Sequence, residues 1–161
     1  LSKNDKNIRI SRYKLLNKDD DFIFKVSTGY KRKAIAETFV NPYHKSMQEV
    51  LMKLLKKDTN YSDVKKEVEF VDVRGVYNNN EIHFFEIKTD TPKNNIRQAI
   101  GQLLEYTFFP DTNKANKLYI IGDKKPNSEV AKYLNTLRDI TSLNVYYKCL
   151  DMENNILSVD Y

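Results

Sequence analysis

The chain has 161 residues, 40% of them hydrophobic, with 11 Tyr and 8 Phe; that is apolar material for one domain's core and excludes wholesale disorder. Four Gly and four Pro exclude collagen-like and low-complexity architectures. The longest apolar run, Leu118-Tyr119-Ile120-Ile121, falls far short of the ~18 residues of a membrane span, and a net charge of +5 suits a polyanionic partner without requiring one.

Part of that basic excess reflects composition, because Lys far outnumbers Arg while Asn, Ile and Tyr abound, as in AT-rich genomes. The lone Cys149 can form no internal disulfide, which predicts a reducing, cytoplasmic setting. The chain opens on Leu1 without a signal-peptide pattern, as a piece of a longer polypeptide does.

In chain order, residues 1–42 read as a small N-terminal β arm or the end of an upstream domain, with strands at 8–10 and 22–26 and the basic run Lys31-Arg32-Lys33. Asn41-Pro42 marks a break before a helix, and residues 43–161 read as the main domain. From His44 to about Lys57, Met47, Val50, Leu51, Leu54 and Leu55 form one helical stripe. Val68 to Val76 and Ile82 to Thr89 are β-rich and joined through Asn78-Asn79-Asn80. A second helix runs from Ile96 to Phe109, with Ile96, Ala99, Ile100, Leu103 and Leu104 inward, and ends at Pro110. Leu118 to Ile121 reads as a strand covered on both faces, Ser128 to Ile140 as a third helix, and Val145–Leu150 with Ile156–Val159 as a closing hairpin. The order is arm, α, β, β, β, α, β, α, β, β, which predicts an α/β fold with a mixed sheet between helices.

Chemistry concentrates on Asp72 and, across the Asn hairpin, Glu86-Ile87-Lys88. Strand alternation puts Glu86 and Lys88 on one face. Two carboxylates can hold Mg²⁺, which takes oxygen ligands and keeps several waters, and a lysine beside them can stabilise charge on a phosphate. A Glu-x-Lys is expected about once by chance in such a composition, so its placement inside the apolar strand His83–Lys88 carries the weight. The competing reading is a cross-strand salt bridge on a solvated sheet face. On the second helix Gln102 and Tyr106 are four apart and share the flank of the apolar stripe, while Glu105 points to solvent.

Asp72, then Glu86-x-Lys88, then Gln102-x-x-x-Tyr106 on the following helix resembles the PD-(D/E)XK nuclease superfamily, and within it the branch with a Gln-x-x-x-Tyr motif. The resemblance covers about half the chain and implies a restriction endonuclease-like core from His44 to Ile121. It implies a Mg²⁺-dependent deoxyribonuclease, acting as an endonuclease in restriction, antiviral defence or repair, with Mn²⁺ as a substitute metal. Asp72, Glu86 and the Ile87 backbone carbonyl become metal ligands, Lys88 the catalytic lysine, and Gln102 and Tyr106 site-lining or DNA-backbone contacts. Val71 stands where the family has Pro, and Glu67 or Glu69 competes with Asp72 for the acidic role.

From the first helix, His44 is a further candidate ligand and Gln48 an auxiliary residue. Both face the protein body, whereas Glu49 faces solvent with Lys45 and Lys53. A packed or capping histidine is the equal alternative for His44. His83 reads as structural. Lys31, Arg32 and Lys33, and Lys56-Lys57, are candidate phosphate contacts, against the alternative of a solvated lysine-rich surface. The implied partners are DNA, a fused or associated recognition or motor domain, and a second copy of the chain, with no membrane. The alternative function is a catalytically inactive nuclease-fold module that binds nucleic acid or scaffolds an assembly.

Overall fold

Asn41 and Pro42 set the start of the first helix, α1 (Pro42–Lys57). The Asn41 side chain accepts the N–H of Tyr43 at 3.0 Å, and Pro42 fills a position whose N–H has no intrahelical partner. The structure, a computed structural model, describes residues 41–68, 70–78, 80–109 and 114–161. The expected arm strands, the basic run Lys31-Arg32-Lys33, Glu69 and Pro110 lie outside the described residues.

Three strands follow α1 as an antiparallel meander: β1 (Tyr61–Val68), β2 (Val71–Tyr77) and β3 (Glu81–Ile87). The expected continuous strand from Val68 to Val76 is corrected here. Val68 closes β1, Glu67 and Phe70 adopt φ of 55° and 66° around a turn, and β2 begins at Val71. β1 left little trace in the sequence because Val64 is its one buried residue; an edge strand with a solvated face carries charge instead. Asn78 takes φ 47° at the next turn, a conformation Asn tolerates better than most residues.

The rest is a β-α-β-α-β-β run: β3, helix α2 (Pro92–Phe108), β4 (Lys117–Gly122), helix α3 (Ser128–Thr141), β5 (Val145–Asp151) and the short β6 (Ile156–Leu157). β4 lies parallel to both β3 and β5, while β6 returns antiparallel to β5. The six strands stand in sequence order across one mixed sheet. Crossovers of one hand, in a sheet growing in one direction, place their helices on one face. Accordingly Ile96, Ala99 and Leu103 of α2 and Leu134 of α3 pack with Phe84, Leu118, Ile120 and Tyr147. On the other face Met47, Leu51 and Leu55 of α1 pack with Val73, Phe85, Ile87 and Ile121. α2 starts at Pro92, four residues before the expected Ile96, because Pro92 occupies its first turn and the buried Asn95 precedes the apolar stripe. Among the described residues no helix is long and apolar enough to cross a membrane.

Leu51 is fully buried at the centre of the α1 face. Leu51→Ala leaves a cavity there and is expected to cost about 2–5 kcal/mol in urea unfolding. Ile140→Ala, at a side chain 76% exposed, should stay within about 0.5 kcal/mol of the parent.

Candidate active site

β2 and β3 stay in register as far as Val73 opposite Phe85; one further step sets Asp72 against Glu86. At that step a side chain closes the ladder: the Ile87 N–H donates to Asp72 Oδ2 at 2.8 Å. α1 reaches the same carboxylate from its own face of the sheet. His44 Nε2 lies 3.2 Å from Oδ2, and the buried Gln48 donates through Nε2 to the Asp72 backbone carbonyl at 2.8 Å. Buried polar groups need such partners, so Gln48 and Asp72 fix one another's place. Both bonds to the carboxylate fall on Oδ2, and among the described residues Oδ1 has no hydrogen-bond partner.

Glu86 is 4% exposed at the end of β3. Lys88 Nζ donates to its Oε1 at 2.7 Å, while Oε2 is buried without a hydrogen-bond partner among the described residues. Burial pushes the Glu86 carboxyl above its ordinary range and the Asp72 charge pushes the same way, while Lys88 and His44 offset this in part. His44 is raised, chiefly by its hydrogen bond to Asp72, with burial opposing.

These residues fit a hydrated hard cation. Glu86 Oε2 is an orphaned buried oxygen, Asp72 Oδ1 is open, and Mg²⁺ needs one or two carboxylates because it retains waters. Among the described residues no group of three or more His, Cys, Asp or Glu side chains is arranged to hold a metal. His44 spends its Nε2 on Asp72 and acts in this arrangement as that residue's partner.

Gln102 and Tyr106 meet each other: Gln102 Nε2 donates to the Tyr106 hydroxyl at 3.3 Å. The Tyr106 ring lies 6.1 Å, between centroids, from that of Phe70, which is 85% exposed and two residues before Asp72. This half-buried pair therefore flanks the start of β2 and makes no hydrogen bond to Asp72, Glu86 or Lys88, while Glu105 faces solvent as expected. Glu67, the competing acid, is exposed at the β1–β2 turn, and Glu49 is exposed on α1. His83 sits in an aromatic cluster, with Nδ1 2.9 Å from the Tyr61 hydroxyl and its ring stacked on Tyr77.

One group of residues escaped sequence reasoning. The fully buried Asn95 accepts the Asp90 N–H at 2.9 Å and donates to the carbonyls of Lys88 and Asp90 at 3.4 and 3.3 Å. It thus holds the turn that leaves Lys88. Tyr147 backs it, donating to the Lys124 carbonyl at 2.8 Å. Gly122 makes room, since a Cβ there would lie 1.9 Å from the Tyr147 hydroxyl and 2.6 Å from Asn95 Nδ2. A glycine ending an apolar strand was the available signal of such close approach.

No family model, curated protein or solved structure matches the chain.

The His44–Asp72 pair gives a pH-dependent prediction. A histidine raised by folding contributes stability that is complete below its unfolded pKa and fades as pH climbs through the folded value. His44→Ala should therefore lower the thermal midpoint more at about pH 5.5 than at about pH 9. An equal loss at both would mean that charge plays no part in the pair.

Proposed function

We propose that this chain is a Mg²⁺-dependent nuclease domain hydrolysing phosphodiester bonds in DNA, on a restriction endonuclease-like core of the PD-(D/E)XK kind. Three things support the reading. The α-β-β-β-α-β order from α1 to β4 is the order that core requires. Asp72, Glu86 and Lys88 meet at one end of β2 and β3, and the Gln102–Tyr106 pair lies against Phe70, two residues before Asp72. The carrying observation is Glu86 Oε2, which like Thr107 Oγ1 and Asp123 Oδ1 is buried without a partner among the described residues, and which alone of the three belongs to the Asp72–Glu86–Lys88 group.

Asp72 and Glu86 would hold the cation, which when bound supplies Lewis acidity toward the phosphate and a water of lowered pKa. The protein's own groups do the rest. Gln48, His44 and the Ile87 N–H keep Asp72 from turning away. Lys88 brings positive charge beside the two carboxylates, where it can stabilise the charge that develops on a phosphate oxygen. Gln102 and Tyr106 present an amide and a hydroxyl on the flank, suited to aligning a DNA strand. Restriction, antiviral defence and repair are the settings in which such a domain acts. The inactive-module alternative rests on the 2.7 Å Lys88–Glu86 pair as a structural salt bridge. Against it, that pair engages only Oε1 and leaves Oε2 without a hydrogen-bond partner among the described residues.

Incubation with plasmid and linear DNA tests the reading. Cleavage is expected with Mg²⁺ and not with EDTA, and Asp72→Ala or Glu86→Ala should abolish it while the fold remains. Lys88→Ala should lower turnover ~10²-fold or more with DNA affinity little changed. Cleavage undiminished in Glu86→Ala would sink the site, and equal losses in Glu105→Ala and Gln102→Ala would refute the role given to the α2 flank.

A second measurement needs no cleavage. Because folding raises the Glu86 carboxyl, the folded state holds that proton more tightly, and stability falls as pH rises from the unfolded carboxylate pKa through the raised value. Glu86→Gln removes this cost, so in EDTA its thermal midpoint should exceed the parent's increasingly from acid to neutral pH. Added Mg²⁺ should raise the parent's midpoint and leave the variant's unchanged. A variant less stable than the parent at neutral pH in EDTA would favour the salt-bridge reading.

A further inference from the structure

Beside Asp72, between α1 and β1, runs a groove of about 280 Å³ lined by Gln48, Glu49, Met52, Lys53, Lys56 and Lys66. Its placement follows from the fold. Lys66 stands opposite Val73, one residue from Asp72, and strand alternation sets it on the side of the buried Val64, under α1. Gln48 lines the groove and also holds the Asp72 carbonyl, so the groove adjoins the start of β2 where Asp72 stands. Lys53 and Lys56, three apart, are neighbours on one helix face.

All three lysines are exposed, and among the described residues none of them makes a salt bridge. Elsewhere on the domain lysines do find carboxylates: Lys65 with Asp63 at 2.9 Å and Lys148 with Asp160 at 2.6 Å. Among the described residues Glu49 is the single carboxylate on the groove wall, so positive charge dominates there. Lys56 has a second use, in the last turn of α1 where a cation complements the helix dipole, but Lys53 and Lys66 have no such use. Three cations that make no salt bridge among the described residues, along a depression that shares Gln48 with Asp72, are suited to a strand of phosphates.

We infer that the α1–β1 groove is a track for the DNA backbone, with Lys53, Lys56 and Lys66 contacting successive phosphates on the strand that enters the site. The inference deepens the nuclease reading and rests on it for the identity of the polyanion. Its contacts are sequence-independent and involve lysines alone, so they need no metal.

The test is binding of a short labelled DNA duplex by fluorescence anisotropy in EDTA, between about 50 and 200 mM salt. Each of Lys53→Ala, Lys56→Ala and Lys66→Ala should flatten the dependence of log K on log salt by about 0.9, and the triple variant by about 2.7, with unfolding midpoints unchanged except for a small loss wherever Lys56 is removed from the end of α1. Lys132→Ala, on α3 across the sheet, should leave the slope as it is. A triple variant flattened no more per lysine than Lys132→Ala, or a parent that does not bind, overturns the groove. The nuclease reading fails separately: a parent that binds through the groove yet leaves DNA uncut with Mg²⁺ supports the track and refutes the catalysis. Full cleavage by a triple variant that binds like the parent refutes the track and spares the nuclease.

Discussion

The hydrogen bond from the Ile87 N–H to Asp72 Oδ2 is the constraint on which the site depends. In an ordinary antiparallel pair a backbone carbonyl would take that N–H. Here the carboxylate takes it, at the step beyond the last registered pair of β2 and β3. A buried N–H must be satisfied, so the side chain cannot rotate away without orphaning the strand. Asp72 is thereby fixed against Glu86, with one oxygen committed and the other without a partner among the described residues. α1 tightens the arrangement from its own face through His44 and Gln48.

Glu86 stands at odds with folding. A carboxylate 4% exposed, beside a second carboxylate and with one oxygen unpartnered, costs stability that a neutral side chain would not. The surrounding structure offsets this with well-packed apolar faces on both sides of the sheet and with the Asn95–Tyr147 network behind Lys88. Gly122 shows how tight that support is, because even a methyl group there would collide with it. Charge held against folding is a common feature of binding and catalytic sites.

The sequence revealed the elements whose residues are buried with a period. The Met47–Leu51–Leu55 stripe, the continuous run at Leu118–Ile121 and the phase of α2 all reappear in the structure, because burial on a helix face or inside a sheet imposes that spacing. Asp72, Glu86 and Lys88 were legible because charges inside or beside apolar strands are costly and therefore conspicuous. β1 is counted in the expected element order but has no span of its own in the sequence, since an edge strand with one buried residue carries almost no periodic signal. Asn95 was invisible for another reason: its partners are backbone groups of Lys88 and Asp90 and the Tyr147 hydroxyl, and no local spacing announces contacts made after the chain folds. The α1–β1 groove likewise appears only once Lys66 is brought under the helix that carries Lys53 and Lys56.

The central claim is that Asp72 and Glu86 together hold a divalent cation. Diffraction from crystals soaked in Mn²⁺, recorded for its anomalous signal, tests this most directly, since Mn²⁺ shares the oxygen preference of Mg²⁺ and scatters anomalously. The account predicts one strong peak between the Asp72 and Glu86 carboxylates, lost in Glu86→Gln crystals. A site without a peak at saturating Mn²⁺, with Glu86 still bound to Lys88 alone, would contradict it.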